Sequence, residues 1–148
     1  MTFCCDPSDL LKKAGVDRTS HRVAVLGIIQ SLSKVTCAKE ILSEIRVNQP
    51  IDKVTLYRIL ELFVKKSILR RIISMNGTMC YEIICSLHLP VHPHFVCRKC
   101  GDVECLREFA SHIRKQTNRW KKMSGAQEFD LRLEGLCTHC KGSYVTKR

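Results

Sequence analysis

Four cysteines in two CxxC pairs carry the clearest chemistry in this sequence. Cys97 and Cys100 form the first pair, and Cys137 and Cys140 form the second. Each short loop can direct two thiolates at one point, and four thiolates complete the tetrahedral shell that Zn²⁺ takes in structural sites. A redox pair of the thioredoxin type is the alternative, but such motifs belong to a βαβ unit that this pattern does not indicate. The spacing therefore predicts a closed, structural zinc site.

Five further cysteines belong to no motif: Cys4, Cys5, Cys37, Cys80 and Cys85. The N-terminus has no basic start followed by an apolar block, so we expect a cytoplasmic protein whose thiols stay reduced. Ten cysteines in that compartment argue against a disulfide framework. The five are interpreted either as small buried hydrophobic residues or as exposed, redox-sensitive thiols.

The composition bounds the class of protein. A chain of 148 residues with 45% hydrophobic and 26% charged residues suits one domain or two very small ones, and excludes wholesale disorder. Its apolar runs are too short to cross a membrane, so no membrane partner is expected. The net charge of +11 points to a polyanionic partner such as nucleic acid, although a merely soluble basic surface is the alternative.

Helical periodicity dominates residues 9–66, which must position any site in the first half. A short helix ends at Gly15, Thr19 can cap a second helix and Thr36 a third. Asp52 is the natural N-cap of a fourth helix. Its predicted buried stripe is Leu56, Ile59, Leu60, Phe63 and Val64, and its polar face carries Lys53, Tyr57, Arg58, Glu61 and Lys65.

A β-hairpin is predicted after these helices. Asn76-Gly77 lies between two β-rich runs and indicates a two-residue turn with positive φ at both turn residues. The last three of these helices followed by a hairpin give the order of a winged helix-turn-helix, whose last helix enters the DNA major groove. A small α+β domain with a solvated hairpin is the alternative interpretation.

The composition changes after the hairpin, which suggests a domain boundary. We predict a DNA-binding domain over residues 1–84, a linker over 85–93 and a second domain over 94–148, with a β-β-α-β order and both CxxC pairs at strand ends. The second domain is small, so metal and dimerisation are expected to supply the stability that its core lacks. The fold class is α+β.

The motifs together resemble the ferric uptake regulator (Fur) family of metal-dependent repressors, nearly end to end. The matching segments are RTSHR (18–22), VTLYRIL (54–60), YEI (81–83), HPHFVCRKCG (92–101) and LEGLCTHC (133–140). This resemblance implies an N-terminal winged helix and a C-terminal α/β dimerisation domain, and hence a homodimer that binds an inverted-repeat operator in double-stranded DNA.

The resemblance also implies DNA contacts. It places Tyr57 and Arg58 at the contacting positions of the recognition helix, where arginine can fork onto a guanine or a phosphate. Thr55 lies in the same signature, and Lys53, Arg18 and Arg22 are expected phosphate contacts. Without the resemblance, a solvated helix face is the better interpretation.

A second, regulatory metal site is implied in the same way. His92, His94 and Glu82 match family ligands, and Cys105 or its neighbour Glu104 stands in for the remaining carboxylate. Val35 occupies the place of a usual loop histidine, which His88 could replace. The metal would be Zn²⁺, Fe²⁺ or Mn²⁺, and a thiolate ligand favours Zn²⁺.

No set of nucleophile, base and orienting group is recognisable, so we expect a regulator and not an enzyme. Two alternatives stay open. One is a metal-independent DNA binder of the same fold, and the other is a zinc-ribbon module that binds RNA or a protein.

Overall fold

The computed structural model describes residues 5–32, 34–84, 91–125 and 130–145. Cys4, Cys85, His88 and most of the predicted linker lie outside these ranges. The chain forms two compact units, one from Met1–Ile73 with Thr78–His88 and the other from Ser74–Gly77 with Leu89–Arg148. Within the described ranges, no helix is long and apolar enough to span a bilayer.

In its described residues, the first unit has four helices and a three-stranded antiparallel sheet. In chain order its elements are α1 (Pro7–Lys13), α2 (Ser20–Leu32), β1 (Thr36–Cys37), α3 (Ala38–Asn48), α4 (Lys53–Lys65), β2 (Leu69–Ile73) and β3 (Met79–Ile83). The strand order is β1-β3-β2. Because α3 and α4 are followed directly by the β2–β3 hairpin, the unit is a winged helix-turn-helix, and this part of the predicted fold is confirmed.

Helix α4 buries the predicted stripe against the rest of the first unit. Leu56, Leu60 and Phe63 are fully buried and Ile59 nearly so, whereas Val64 is only half-buried. Full burial of such side chains is worth about 1.5 to 3 kcal/mol each. The opposite face of α4 is thereby held toward solvent.

Asp52 begins α4 as predicted. Its carboxylate accepts a hydrogen bond from the Thr55 backbone N–H at 2.9 Å and another from the Thr55 hydroxyl. These bonds to Thr55 lower the pKa of Asp52 below its ordinary value. The first turn of α4 therefore has a charged cap at neutral pH.

Replacing Asp52 with alanine is expected to lower the urea concentration at which the first unit unfolds, because the first turn of α4 loses its cap. Urea unfolding monitored by circular dichroism measures this decrease. Asp52→Asn is the matched control and should retain most of the stability, since asparagine caps helices nearly as well. Equal stability of all three proteins would contradict the capping role.

The start of α3 differs from the prediction. Thr36 does not cap the helix, because it belongs to β1, where it pairs with Tyr81 of β3. Its hydroxyl donates to the Lys34 carbonyl oxygen at 3.0 Å. Cys37 is the N-cap instead, and its backbone N–H donates to the Glu40 carboxylate at 3.0 Å.

The hairpin turn is longer than predicted. The strands end at Ile73 and resume at Met79, so five residues connect them. The Gly77 N–H donates to the Ser74 carbonyl oxygen at 3.1 Å, and Gly77 has a φ of 79°. Asn76 does not share this positive φ. The five-residue connection contains a four-residue turn over 74–77 that ends in a left-handed glycine, and the predicted two-residue turn is wrong.

A disulfide joins Cys37 to Cys80, contrary to the expectation that the motif-less cysteines are reduced thiols. The two residues are direct partners in the β1–β3 ladder. Strand pairing thus places side by side two cysteines that are 43 positions apart in sequence.

The described part of the second unit contains a three-stranded sheet and two helices. Its elements are β4 (His94–Cys97), β5 (Val103–Cys105), a 3-10 turn (Arg107–Phe109), α5 (Ala110–Ser124), β6 (Arg132–Gly135) and α6 (Thr138–Val145). The order is β5-β4-β6, with β4 antiparallel to β5 and parallel to β6. The predicted β-β-α-β order is present, but α6 was not predicted.

Candidate metal centres and nucleic-acid interface

The two CxxC pairs meet at one end of the second sheet. Cys97 ends β4 beside Gly135 of β6, so the first pair lies next to the strand that leads into the second. Gly101, with a φ of 76°, closes the first loop by donating its N–H to the Cys97 carbonyl oxygen at 3.0 Å. A side chain at that φ would be strained.

The four sulfur atoms fit a tetrahedral zinc ion. All four lie within 4.8 Å of one another, and the Sγ atoms of Cys100 and Cys137 are 3.9 Å apart. Zn–S bonds of about 2.3 Å in a tetrahedron separate the sulfur atoms by about 3.8 Å. The residues present therefore suit a Zn²⁺ ion with four protein ligands, which leaves no open position for catalysis.

Two thiols of the cluster have pKa values that are shifted in opposite directions. Backbone N–H groups of Cys137 and Cys100 lower the pKa of Cys97 to about 6, and the Cys137 N–H lies 3.4 Å from the Cys97 sulfur. Burial raises the pKa of Cys140 to about 12. At neutral pH without metal, Cys97 is mostly thiolate and Cys140 holds its proton.

Zinc affinity is expected to rise with pH, because the ion must displace the Cys140 proton. Each displaced proton changes the apparent affinity about 10-fold per pH unit, so we expect at least a ~100-fold increase between pH 6 and pH 8. Competition with a chromophoric chelator, corrected for the chelator's own protonation, measures this change. A flat profile over that range would contradict proton displacement at the cluster.

Three of the predicted regulatory ligands gather elsewhere in the second unit. His92 and His94 are buried, with ring centroids 4.8 Å apart. Cys105 of β5 is the direct strand partner of His94. The ligand atoms of these three side chains lie within 4.8 Å of one another. A thiolate beside two imidazoles is a donor set that suits Zn²⁺.

The structure separates the two candidates for the remaining ligand on β5. Glu104 is exposed and pairs with Phe95, so it lies on the opposite face of the strand from Cys105. Cys105 joins the histidines and Glu104 does not. Glu82 is buried on β3 of the first unit, and Val35 at the edge of β1 is buried and has no donor atom.

The polar face of α4 is exposed to solvent at several of the predicted DNA contacts. Lys53, Tyr57 and Arg58 are exposed, and the Lys53 ammonium lies 5.8 Å from the centre of the Tyr57 ring. Arg18, at the end of the loop before α2, is also exposed. These cations can reach phosphate or base edges without first breaking a buried contact.

Two of the predicted contacts have other partners. The Thr55 hydroxyl donates to Asp52, so Thr55 serves the helix cap. The Arg22 guanidinium donates to the Asp17 carbonyl oxygen at 3.0 Å and lies 3.9 Å from the Asp17 carboxylate. A phosphate would have to compete with these bonds, which makes Thr55 and Arg22 weaker candidates than Arg58.

Solved structures share this architecture. The ferric uptake regulator of Vibrio cholerae has a TM-score of 0.68 at 26% identity, covering 89% of this chain and 100% of that chain. A structure of the Pseudomonas aeruginosa ferric uptake regulator with manganese has a TM-score of 0.70 at 22% identity, covering 90% and 97%. The latter identity supports the fold alone. The fold is that of a winged-helix regulator with an appended α/β unit.

Sequence comparison identifies the family. The model of the ferric uptake regulator family matches residues 13–135. The ferric uptake regulation protein of Legionella pneumophila is 30% identical over 146 residues, covering 92% of this chain and 99% of that protein. The chain belongs to the ferric uptake regulator family. Membership in a family of regulators confirms the expectation that the chain is not an enzyme.

Proposed function

We propose that this protein is a cytoplasmic transcriptional repressor that binds an inverted-repeat operator in double-stranded DNA as a homodimer. The exposed cationic face of α4, held out by a buried apolar stripe within a winged helix, carries this proposal. Two such helices related by a twofold axis would require half-sites of matching symmetry.

The second unit supports the dimer. A groove of about 710 Å³ lies between its sheet and α5, lined mainly by apolar side chains such as Leu106, Phe109, Ile113, Trp120 and Leu131. Phe109 and Trp120 are each more than two-fifths exposed. Apolar surface of this kind on a small unit is typical of an interface. We infer that a second copy of the chain covers it.

We propose that the four-cysteine cluster of Cys97, Cys100, Cys137 and Cys140 holds a permanent Zn²⁺. A second, exchangeable metal regulates DNA binding. The second metal takes His92, His94 and Cys105, with Glu82 as the fourth ligand. A metal with ligands from both units would favour one arrangement of them, and a difference in DNA affinity between arrangements would make the metal a regulator. Zn²⁺ is the expected ion because of the thiolate, ahead of Fe²⁺ and Mn²⁺.

Added Zn²⁺ is expected to raise the operator affinity of protein that already holds one zinc ion per chain by about 5- to 150-fold, a typical coupling between two sites. Fluorescence anisotropy with labelled DNA, selected from a random library, measures this increase. Fe²⁺ and Mn²⁺ are compared in parallel. His92→Ala combined with His94→Ala should remove the increase and keep the single tightly held zinc.

Equal affinity with and without every metal, in both proteins, would show a metal-independent DNA binder of the same fold. Val35 favours this second candidate function, because a buried aliphatic side chain replaces a donor beside β1. Binding to RNA or protein with no preference for a duplex repeat would instead support the zinc-ribbon module.

A further inference from the structure

We propose that Cys37 and Cys80 form a reversible redox site that exchanges with low-molecular-weight thiols and disulfides and controls the rigidity of the recognition unit. We define the recognition unit as the elements between the two cysteines, namely α3, α4 and β2. Disulfides are rare in the cytosol, and those that occur there are usually transient and redox-sensing. A disulfide in a regulator of this family is therefore better explained as a switchable bond than as a permanent one.

The position of the disulfide allows it to restrict the motion of the recognition unit. The disulfide closes a loop of 43 positions that contains both helices of the helix-turn-helix and the first strand of the wing. Apart from the disulfide, β1 is held to β3 by pairing at only two positions, Thr36 with Tyr81 and Cys37 with Cys80. Two paired residues make a short ladder, so the covalent bond adds a constraint on the entry to α3 beyond this pairing and the packing of buried Ala38 and Ile41.

The contacts around Cys37 connect the bond to α3. Cys37 is the N-cap of the helix, and its backbone N–H donates to the Glu40 carboxylate at 3.0 Å. The other Glu40 carboxylate oxygen accepts from the Lys34 ammonium at 2.9 Å. When the disulfide opens, this capped turn keeps its hydrogen bonds and the packing of the buried residues Thr36 and Ala38 on either side of Cys37, but it loses its covalent link to β3. The first turn of α3 then gains freedom.

Burial assigns the roles of the two sulfur atoms. Cys80 is 2% exposed, whereas Cys37 is half-buried and lies at a helix start. An incoming thiolate can therefore reach the Cys37 sulfur more readily than that of Cys80. Cys37 is the sulfur that exchanges with solutes, and Cys80 is the resolving partner.

The chemistry balances as thiol–disulfide exchange. In the oxidising direction the Cys37 thiolate attacks a low-molecular-weight disulfide RSSR, forms a mixed disulfide and releases RS⁻. The Cys80 thiolate then attacks the Cys37 sulfur, which forms the intramolecular bond and releases the second RS⁻. The protein loses two electrons and two protons overall, and RSSR is reduced to two RSH. Reduction follows the reverse path, with RS⁻ attacking Cys37 and Cys80 leaving.

The closed form is expected to bind DNA more tightly than the open form. A recognition unit that is already fixed loses less conformational freedom on binding. We expect the operator affinity of the disulfide form to exceed that of the dithiol form by at least about 5-fold, the lower end of typical coupling between sites. We also expect the melting temperature of the first unit to be higher by roughly 10 °C or more in the closed form.

The test equilibrates the full, zinc-loaded chain in glutathione buffers of varied thiol-to-disulfide ratio. Alkylation and peptide mass spectrometry measure the fraction of the 37–80 disulfide, hydrogen exchange measures protection of residues 38–79, and anisotropy measures DNA affinity. Zinc content is measured in every sample, because zinc loss would reveal oxidation of the four-cysteine cluster and distinguish it from oxidation of Cys37 and Cys80. Reversible formation of the disulfide, with protection and affinity rising together, is the expected result.

Cys37→Ser and Cys80→Ala should both remain at the protection and affinity of the reduced protein in every buffer. Cys5→Ser is the matched control and should retain the full redox response. A response that survives Cys37→Ser, or equal protection in the closed and open wild-type forms, would overturn the proposal. The DNA-affinity readout rests on the proposed DNA-binding function, but the thiol and exchange readouts do not. Absent DNA binding with intact redox-dependent protection would therefore reject only the DNA function.

Discussion

Replacing Cys97 with serine is expected to release the structural zinc and to unfold the second unit. Structural zinc contributes an apparent 10 to 16 kcal/mol to small zinc domains, as a rough scale, and a closed cluster cannot retain it well with three thiolates. Few side chains of the described part of the second unit are buried, and two of them, Cys97 and Cys140, are cluster ligands themselves. Elemental analysis and hydrogen exchange over residues 94–145 measure the two losses.

The first unit provides the internal reference for this experiment. Its exchange protection should be unchanged in Cys97→Ser, because its core lies around α4 and does not use the metal. Cys5→Ser is the matched control and should keep one zinc ion per chain. A zinc-free Cys97→Ser protein that retains protection over the second unit would show that the assignment of the cluster as a structural centre is wrong.

Replacing Arg58 with alanine is expected to cost about 1 to 3 kcal/mol in binding to the specific DNA site, if Arg58 forks onto a base edge. Random DNA should lose less, because its binding comes from phosphate contacts made by many cations. Anisotropy titrations on both DNAs, at several salt concentrations, separate these contributions.

Salt dependence distinguishes the possible roles of Arg58. A lost phosphate contact makes the negative slope of log affinity against log salt less steep by about 0.9, and it weakens binding to both DNAs alike. Lys65→Ala is the matched control, since it removes an exposed charge from the last turn of the same helix. If Arg58→Ala binds both DNAs like the unmutated protein, α4 is not the recognition helix.

Local signals in the sequence predicted those parts of the structure that local chemistry controls. The Asp52 cap and the stripe through Leu56, Leu60 and Phe63 depend on residues within one or two helical turns. The four-cysteine cluster depends on two short loops, and the CxxC spacing within each loop is itself the sequence signal. These features need no knowledge of distant strand partners.

The differences arise where a distant partner decides the local structure. Thr36 has the chemistry of a cap, but pairing with Tyr81 places it in a strand and moves the cap to Cys37. The same strand pairing brings Cys37 next to Cys80. The spacing of these cysteines in the sequence does not predict their disulfide. In the hairpin, the Asn-Gly signal located the turn correctly, but strand pairing ended at Ile73 and Met79 and left room for a longer loop.

Strand alternation explains the outcome for the regulatory site. Glu104 and Cys105 are neighbours in sequence, and resemblance alone could not choose between them. In β5 they point to opposite faces, and the partner of Cys105 is His94. The register of one strand pair therefore places the Cys105 thiol, and not the Glu104 carboxylate, beside the two histidines. Helix α6 gave little sequence signal, because it is short and contains Gly142.

The parallel pairing of β4 with β6 has a consequence for the rate at which the second unit folds. These strands are separated in sequence by β5 and α5, so their pairing closes a long loop, and non-local parallel pairs form slowly. The cysteine pairs lie where both strands end. A zinc ion bound first by one pair would offer a binding site for the other pair. Binding of the second pair would then close the loop at the Cys97–Gly135 end of the ladder. Refolding of the second unit should accordingly accelerate with free zinc concentration until metal capture is no longer the slow step.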